Sequence, residues 1–215
     1  MNEPIRRVPV SFLRQLGIAL AILIAGPAPV VGLPAIAPET SNGAKPGAFA
    51  LPDFALDPAR KSHLASLPAL RNTLERAALD GGAVVVNFFA SWCPPCQPEF
   101  KALVELDTKY RGAGLAIVAV NLFEDWEGAA VDGLRLKRFL DRYAPRFPVV
   151  RGSDETKRLF GDVARIPTVL IFHRSGAPAL RFIHLENAAK THLALDELEA
   201  GIREALRSDE PQSRL

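Results

Sequence analysis

The chain has 215 residues, 48% of them hydrophobic, and a formal net charge of +2. This length and composition fit one well-packed domain and leave little material for a second core. Three arginines and one glutamate are the charged side chains before Glu39, so the rest of the chain has as many acidic as basic residues. A neutral body without clustered Lys or Arg argues against electrostatic binding of nucleic acid, and we expect no nucleic-acid partner.

The amino-terminal segment combines a basic start with an uninterrupted apolar run at residues 16–25. This pattern is typical of an export signal, whose apolar region spans about 7–15 residues. Uncharged sequence continues to Pro38, which is long enough for a spanning helix but is broken by prolines. Residues 1–38 are therefore predicted to be either a signal peptide or a membrane anchor, with a buried core helix as the alternative. Both a signal peptide and a membrane anchor would place the rest of the chain outside the cytoplasm, in the periplasm.

Residues 39–48 are predicted to be a linker, residues 49–207 a folded domain, and residues 208–215 a disordered polar tail. Hydrophobic patterning and Gly/Pro breaks predict the following elements in chain order: helix 64–79, strand 83–90, a helix after Cys93 that runs to about residue 110, strand 115–120, an amphipathic helix over 136–143, strand 147–150, a short helix 154–160, a hairpin of strands 168–172 and 180–184, and helix 195–206. Strands that alternate with helices and end in a hairpin and helix predict an α/β fold, a mixed central sheet with helices on both faces.

The chemistry is concentrated in one Cys-x-x-Cys unit, because Cys93 and Cys96 are the two cysteines of the sequence. They follow an apolar strand and open a helix, whose N-terminus stabilises a thiolate. The spacing allows Cys96 to resolve a mixed disulfide formed at Cys93 within one helical turn. We therefore predict that Cys93 is the exposed attacking sulfur, Cys96 the shielded resolving sulfur, and Trp92 an apolar surface beside them.

Other uses of the Cys-x-x-Cys unit are weaker. A zinc site needs about four ligands, and the sequence has neither a second cysteine pair nor a close pair of histidines. A c-type haem attachment requires His after the second cysteine, where Gln97 stands. A purely structural disulfide with a two-residue loop restricts little of the unfolded chain. We expect no metal and no cofactor.

The sequence resembles the thioredoxin superfamily, and within it the extracytoplasmic branch that includes TlpA, ResA and the cytochrome c biogenesis thioredoxins. The likeness covers about residues 49–207 and departs from the family pattern over residues 58–82, where the family has a short hairpin. It is carried by Pro52-Asp53-Phe54, Asn87-Phe88, Trp92-Cys93-Pro94-Pro95-Cys96, Glu99-Phe100 and Ile166-Pro167-Thr168.

The resemblance implies roles for three further residues. Pro167 would be a cis proline opposite the cysteines, so that Ile166 and Pro167 dock a substrate chain, although the base rate favours trans. Glu99 would relay the proton of Cys96, a role favoured by the non-ionisable Asn87, which replaces the buried aspartate of thioredoxin. The alternative for Glu99 is a carboxylate that simply suits the start of a helix.

Together these features predict a thiol–disulfide oxidoreductase that reduces disulfides in exported apoproteins. The expected partners are cysteine-containing client proteins, a membrane electron donor for re-reduction, and the membrane itself if the N-terminus is not cleaved. By resemblance, candidate clients are apocytochrome c and the copper-site cysteines of oxidase assembly factors. The alternative is a redox-linked copper chaperone or binding module on the same fold, although copper chaperones of related fold use a longer cysteine spacing and a distal histidine.

Overall fold

The computed structural model describes residues 53–125 and 133–207. The predicted signal or anchor at 1–38, the linker at 39–48, the tail at 208–215 and Trp126 lie outside these residues. The described helices are α1 Pro58–Ser66, α2 Cys96–Tyr110, α3 Leu134–Tyr143, α4 Asp154–Leu159 and α5 Leu195–Leu206. The described strands are β1 Ala69–Arg71, β2 Val84–Phe89, β3 Ala116–Asn121, β4 Val149–Arg151, β5 Thr168–Phe172 and β6 Pro178–Ile183.

The six described strands form one mixed sheet in the order β1-β4-β3-β2-β5-β6. Strands β2, β3 and β4 run parallel to one another, whereas β5 is antiparallel to β2 and β6 is antiparallel to β5. The carboxyl ends of β2 and β3 therefore leave the sheet at the same edge, with Phe89 paired to Asn121. This edge is where the cysteines lie.

Helices cover both faces of the sheet, as the sequence predicted. All six residues of β2 are buried, and their side chains alternate between two cores. Phe89 joins a core with Phe100 of α2 and residues of α3 and α5. Phe88 joins the other core, with Leu64 of α1 and Phe160 at the end of α4. Such double-sided burial explains why the strand has no polar alternation apart from Asn87.

The predicted helix over residues 64–79 is wrong. Helix α1 starts earlier, where the Asp57 side chain accepts a hydrogen bond from the Arg60 backbone N–H at 2.8 Å, with Pro58 as the first helical residue. It ends before Pro68, because a residue that precedes proline is pushed out of the helical region. Residues beyond Pro68 form the short edge strand β1, which pairs with β4, and a 3₁₀ turn at Arg76–Leu79.

None of the helices in the described ranges combines the length and apolar character required to cross a membrane.

Candidate active site

The two cysteines form a disulfide between the end of β2 and the first turn of α2. Their Cα atoms are 5.3 Å apart and the S–S distance is 2.06 Å. Helix α2 begins at Cys96, three residues after Cys93, so Cys93 lies in the turn near the helix N-terminus. The turn between them is closed by the Cys96 backbone N–H, which donates to the Cys93 carbonyl at 3.2 Å.

Burial of the cysteines differs in part from the sequence prediction. Cys93 is 3% exposed and Cys96 is 1% exposed, so the disulfide form does not present an exposed Cys93. Cys93 nevertheless lines the wall of an open cavity, and Cys96 is not among the lining residues. Cys93 is thus the cysteine that borders the cavity, and the roles of attacking and resolving sulfur stay predictions.

The cavity has a volume of about 660 Å³. Its apolar lining consists of Trp92, Pro94, Pro95, Phe123, Ala164 and Ile166. Its polar lining includes Glu124, Asp125, Lys157, Arg165 and His184. A concave apolar site with a few charged groups at its border suits an extended peptide segment whose side chains differ in polarity.

Ile166 lines the same cavity as Cys93, and its peptide bond to Pro167 is cis, as the resemblance implied. The Ile166 carbonyl lies 3.2 Å from Nδ1 of His184, at the start of the segment that follows β6. Pro167 itself is not one of the lining residues. The structure thus places Trp92, Cys93 and Ile166 around one cavity, and the lining of this cavity does not include Pro167.

Glu99, in the first turn of α2, is completely buried. Its Oε1 accepts a hydrogen bond from Nδ2 of Asn87 at 2.9 Å, and its Oε2 accepts one from the Leu193 backbone N–H at 3.0 Å. Loss of solvent raises the pKa of Glu99 to about 8, although both hydrogen bonds and the charge of Lys190 act in the opposite direction. Burial therefore favours the neutral form of this carboxyl group, which weakens an account based on attraction between a charge and the helix dipole.

Sequence reasoning missed two residues of the site, His184 and Glu124. Glu124 is 8% exposed and follows β3, whose neighbour β2 leads to Cys93. The signal was available in principle, because polar residues that follow adjacent parallel strands meet at one sheet edge. His184 follows β6 at the far side of the sheet, and its position could not be read without the strand order.

No group of three or more His, Cys, Asp or Glu side chains within residues 53–125 and 133–207 is arranged to hold a metal ion.

The parallel strand that leads into a Cys-x-x-Cys turn, the helix that follows it and the mixed sheet with helices on both faces define a domain of the thioredoxin-like class. A family model described as Redoxin matches residues 45–200, and the chain belongs to this family. This membership confirms the thioredoxin-superfamily resemblance drawn from the motifs.

Two curated relatives are named thiol-disulfide oxidoreductase ResA. The protein from Oceanobacillus iheyensis is 32% identical over 130 residues, which cover 60% of each chain. The protein from Bacillus subtilis is 30% identical over 103 residues, which cover 48% of this chain and 54% of the relative. The chain therefore matches between about half and three fifths of the length of these relatives.

A solved structure from Chlorobium tepidum, assigned as a thiol:disulfide interchange protein DsbE, has a similar fold. It is 28% identical with a TM-score of 0.50, and the match covers 65% of this chain and 91% of that one.

Proposed function

We propose that the domain is a thiol–disulfide oxidoreductase that reduces disulfides in exported client proteins. The observation that carries this proposal is the Cys93–Cys96 disulfide in the wall of a cavity large enough for a peptide segment. The ResA and DsbE names of the relatives support the same chemistry.

The reaction starts from the reduced pair. The Cys93 thiolate attacks one sulfur of a client disulfide, forms a mixed disulfide and displaces the other client sulfur as a thiolate. Cys96 then loses its proton and attacks Cys93, which releases the second client thiolate and leaves the Cys93–Cys96 disulfide. Two electrons pass from the dithiol to the client, and the client thiolates take up protons.

Glu99 is proposed to accept the Cys96 proton in its ionised form, which becomes abundant as the pH approaches 8. It lies three residues further along α2, a spacing that places side chains on the same side of a helix. Its pKa of about 8 is close to the ordinary thiol value of about 8.5, so transfer between the two groups requires little free energy. Asn87 cannot take this role because its amide does not titrate, but its Nδ2 holds the carboxyl group in place.

The direction of electron flow follows from the two residues between the cysteines. Pro94 and Pro95 have no backbone N–H, so the turn lacks two donors that would stabilise the Cys93 thiolate. Strong oxidants of this chemistry owe their potential to a stabilised reduced form, which this turn does not favour. The protein is therefore proposed to act as a reductant that a membrane electron donor recharges.

Client docking is proposed to use Trp92, Ile166 and Pro167. Trp92 and Ile166 line the same cavity as Cys93 and provide apolar surface there. An extended client segment is proposed to lie beside Ile166 and Pro167, the role that the resemblance implies. Apocytochrome c and copper-site cysteines are the proposed clients, in keeping with a periplasmic domain exported by residues 1–38.

Reduction of insulin disulfides by the purified protein tests the proposal. The wild-type protein with a dithiol donor should accelerate insulin precipitation, and Cys93→Ser should remove the acceleration. A wild-type protein that is inactive but binds copper tightly when reduced would overturn the proposal in favour of the metal-chaperone alternative.

A further inference from the structure

Glu124 makes an unusual set of contacts beside the active site. Its Oε2 accepts hydrogen bonds from the Ser91 backbone N–H at 3.0 Å and from Nδ2 of Asn121 at 2.7 Å. Its Oε1 accepts a further, short hydrogen bond from the Ser91 hydroxyl group. Ser91 lies two residues before Cys93, so one carboxylate holds both the backbone and the side chain of the segment that leads to the attacking sulfur.

The neighbouring residue Trp92 is tied to the same turn. Its indole Nε1–H donates to the Phe123 carbonyl at 2.7 Å, next to Glu124 in the chain. Strand pairing places the two segments side by side, because Phe89 and Asn121 are partners in β2 and β3. The Glu124 carboxylate thus holds Ser91 beside the turn after β3, and the Phe123 carbonyl group holds Trp92 there.

Glu124 accepts more hydrogen bonds than closure of a loop requires. The Glu124 carboxylate is almost fully buried, and its three donors among the described residues are all neutral. Burial of polar oxygens is costly unless they are hydrogen-bonded, and both carboxylate oxygens of Glu124 accept hydrogen bonds here. Two of the three hydrogen bonds fix the backbone N–H and the hydroxyl group of Ser91, and the third fixes the carboxyl group of Glu124 to Asn121 of β3.

We propose that Glu124 is a positioning residue, which fixes Ser91 and Trp92 and thereby holds Cys93 in the cavity wall for attack on a client disulfide. The inference rests on the proposed oxidoreductase function for its catalytic part. Its structural part, the fixation of Ser91 and Trp92, is independent of that function. Effective thiol attack requires a narrow range of sulfur-to-sulfur approach, so a loosened segment would slow reaction with a docked protein.

Two substitutions at Glu124 separate the effect of its hydrogen bonds from the effect of its carboxylate group. Glu124→Gln retains the hydrogen bonds, because its carbonyl accepts from Ser91 N–H and Asn121 while its amide donates to the Ser91 hydroxyl group. Glu124→Ala removes all three. Glu199→Ala is the matched control, since Glu199 also accepts hydrogen bonds from two side chains, Lys109 and Tyr110, at the opposite end of α2.

The first measurement is hydrogen exchange of the Trp92 indole N–H, observed in a Trp126→Phe background so that one indole signal remains. Glu124→Ala should speed exchange on the order of tenfold, whereas Glu124→Gln and Glu199→Ala should remain within about threefold of the parent. The second measurement compares the oxidation rate of the reduced pair by insulin with that by glutathione disulfide, a small reagent that needs no docking. Glu124→Ala should slow the insulin reaction on the order of tenfold and change the glutathione reaction much less.

Three results would overturn the proposal: unchanged indole exchange in Glu124→Ala, equal slowing with both disulfides, or a Glu124→Gln variant as slow as Glu124→Ala. If Glu124→Ala does not fold, Ser91→Ala removes the hydroxyl contact alone and should cause a smaller acceleration of indole exchange, with no acceleration counting against the proposal. A wild-type protein that does not reduce insulin would overturn the proposed function, while the indole measurement would still decide whether Glu124 fixes the segment.

Discussion

Replacement of Glu99 by glutamine should change the pH dependence of stability more than stability itself. Glutamine has the shape of a neutral glutamic acid, and its carbonyl can accept from the Leu193 backbone N–H as Oε2 does. Its amide can donate to Oδ1 of Asn87, a buried oxygen that has no hydrogen-bond partner in the described structure. At pH 5, where Glu99 is neutral in the folded protein, the two proteins should therefore have similar free energies of unfolding.

The magnitude follows from the pKa of Glu99, which rises from 4.5 to about 8 on burial. Between these values the folded chain keeps a proton that the unfolded chain releases, so wild-type stability falls as the pH rises. Each pH unit in this window lowers the wild-type free energy of unfolding by about 1.36 kcal/mol. The loss amounts to up to about 4 kcal/mol between pH 5 and pH 8. Glu99→Gln removes this loss, so the variant should become the more stable protein at pH 8.

Urea unfolding of the oxidised proteins at pH 5, 6, 7 and 8 measures the effect. Glu105→Gln is the control, because Glu105 lies on the exposed side of the same helix and pairs with Lys101 at 3.8 Å. The control should follow the wild-type curve at every pH. Parallel curves for wild type and Glu99→Gln would show that Glu99 titrates as an ordinary carboxylate and would refute the proton-acceptor role.

Four further outcomes are expected. Cys96→Ser should accumulate mixed disulfides with clients and Cys93→Ser should not, as judged by non-reducing gels, because Cys93 lines the cavity and Cys96 does not. Equilibration with redox buffers should give a midpoint nearer the thioredoxin value of about −270 mV, and a value less negative than about −180 mV would contradict the reductase assignment. Phe100→Ala should lower the free energy of unfolding by about 3–5 kcal/mol in urea titrations, since Phe100 packs fully buried against Phe89 and Phe139. Protease added to cells with a permeabilised outer layer should digest the domain while cytoplasmic markers survive, and full protection would exclude export.

Much of the fold could be predicted because its central elements have strong local patterns. The valine- and phenylalanine-rich run of β2 indicated a strand buried on both faces, and the periodic apolar residues of α3 indicated an amphipathic helix. Strand β1 has three residues and carries no periodicity, so its segment was assigned to a helix. The sequence does contain signals that define α1, namely Asp57-Pro58 at its start and Pro68 after its end.

The site was predictable where its residues are neighbours in the chain and not where the sheet brings them together. Cys93, Cys96 and Trp92 lie within five positions, so their spacing alone revealed the chemistry. Ile166 was placed correctly beside the cysteines only through the family resemblance. Glu124 and His184 reach the cavity through the order of the strands, which local patterning does not determine.

The single Cys93–Cys96 bond also has a consequence for how this chain matures after synthesis. Two cysteines permit one intramolecular pairing, so oxidation cannot produce a scrambled isomer within a copy of the chain. Oxidative folding therefore needs an oxidant but no proofreading by an isomerase. The remaining covalent products are disulfides with a second copy of the chain or with another protein, and in the oxidised form both sulfurs are already paired with each other.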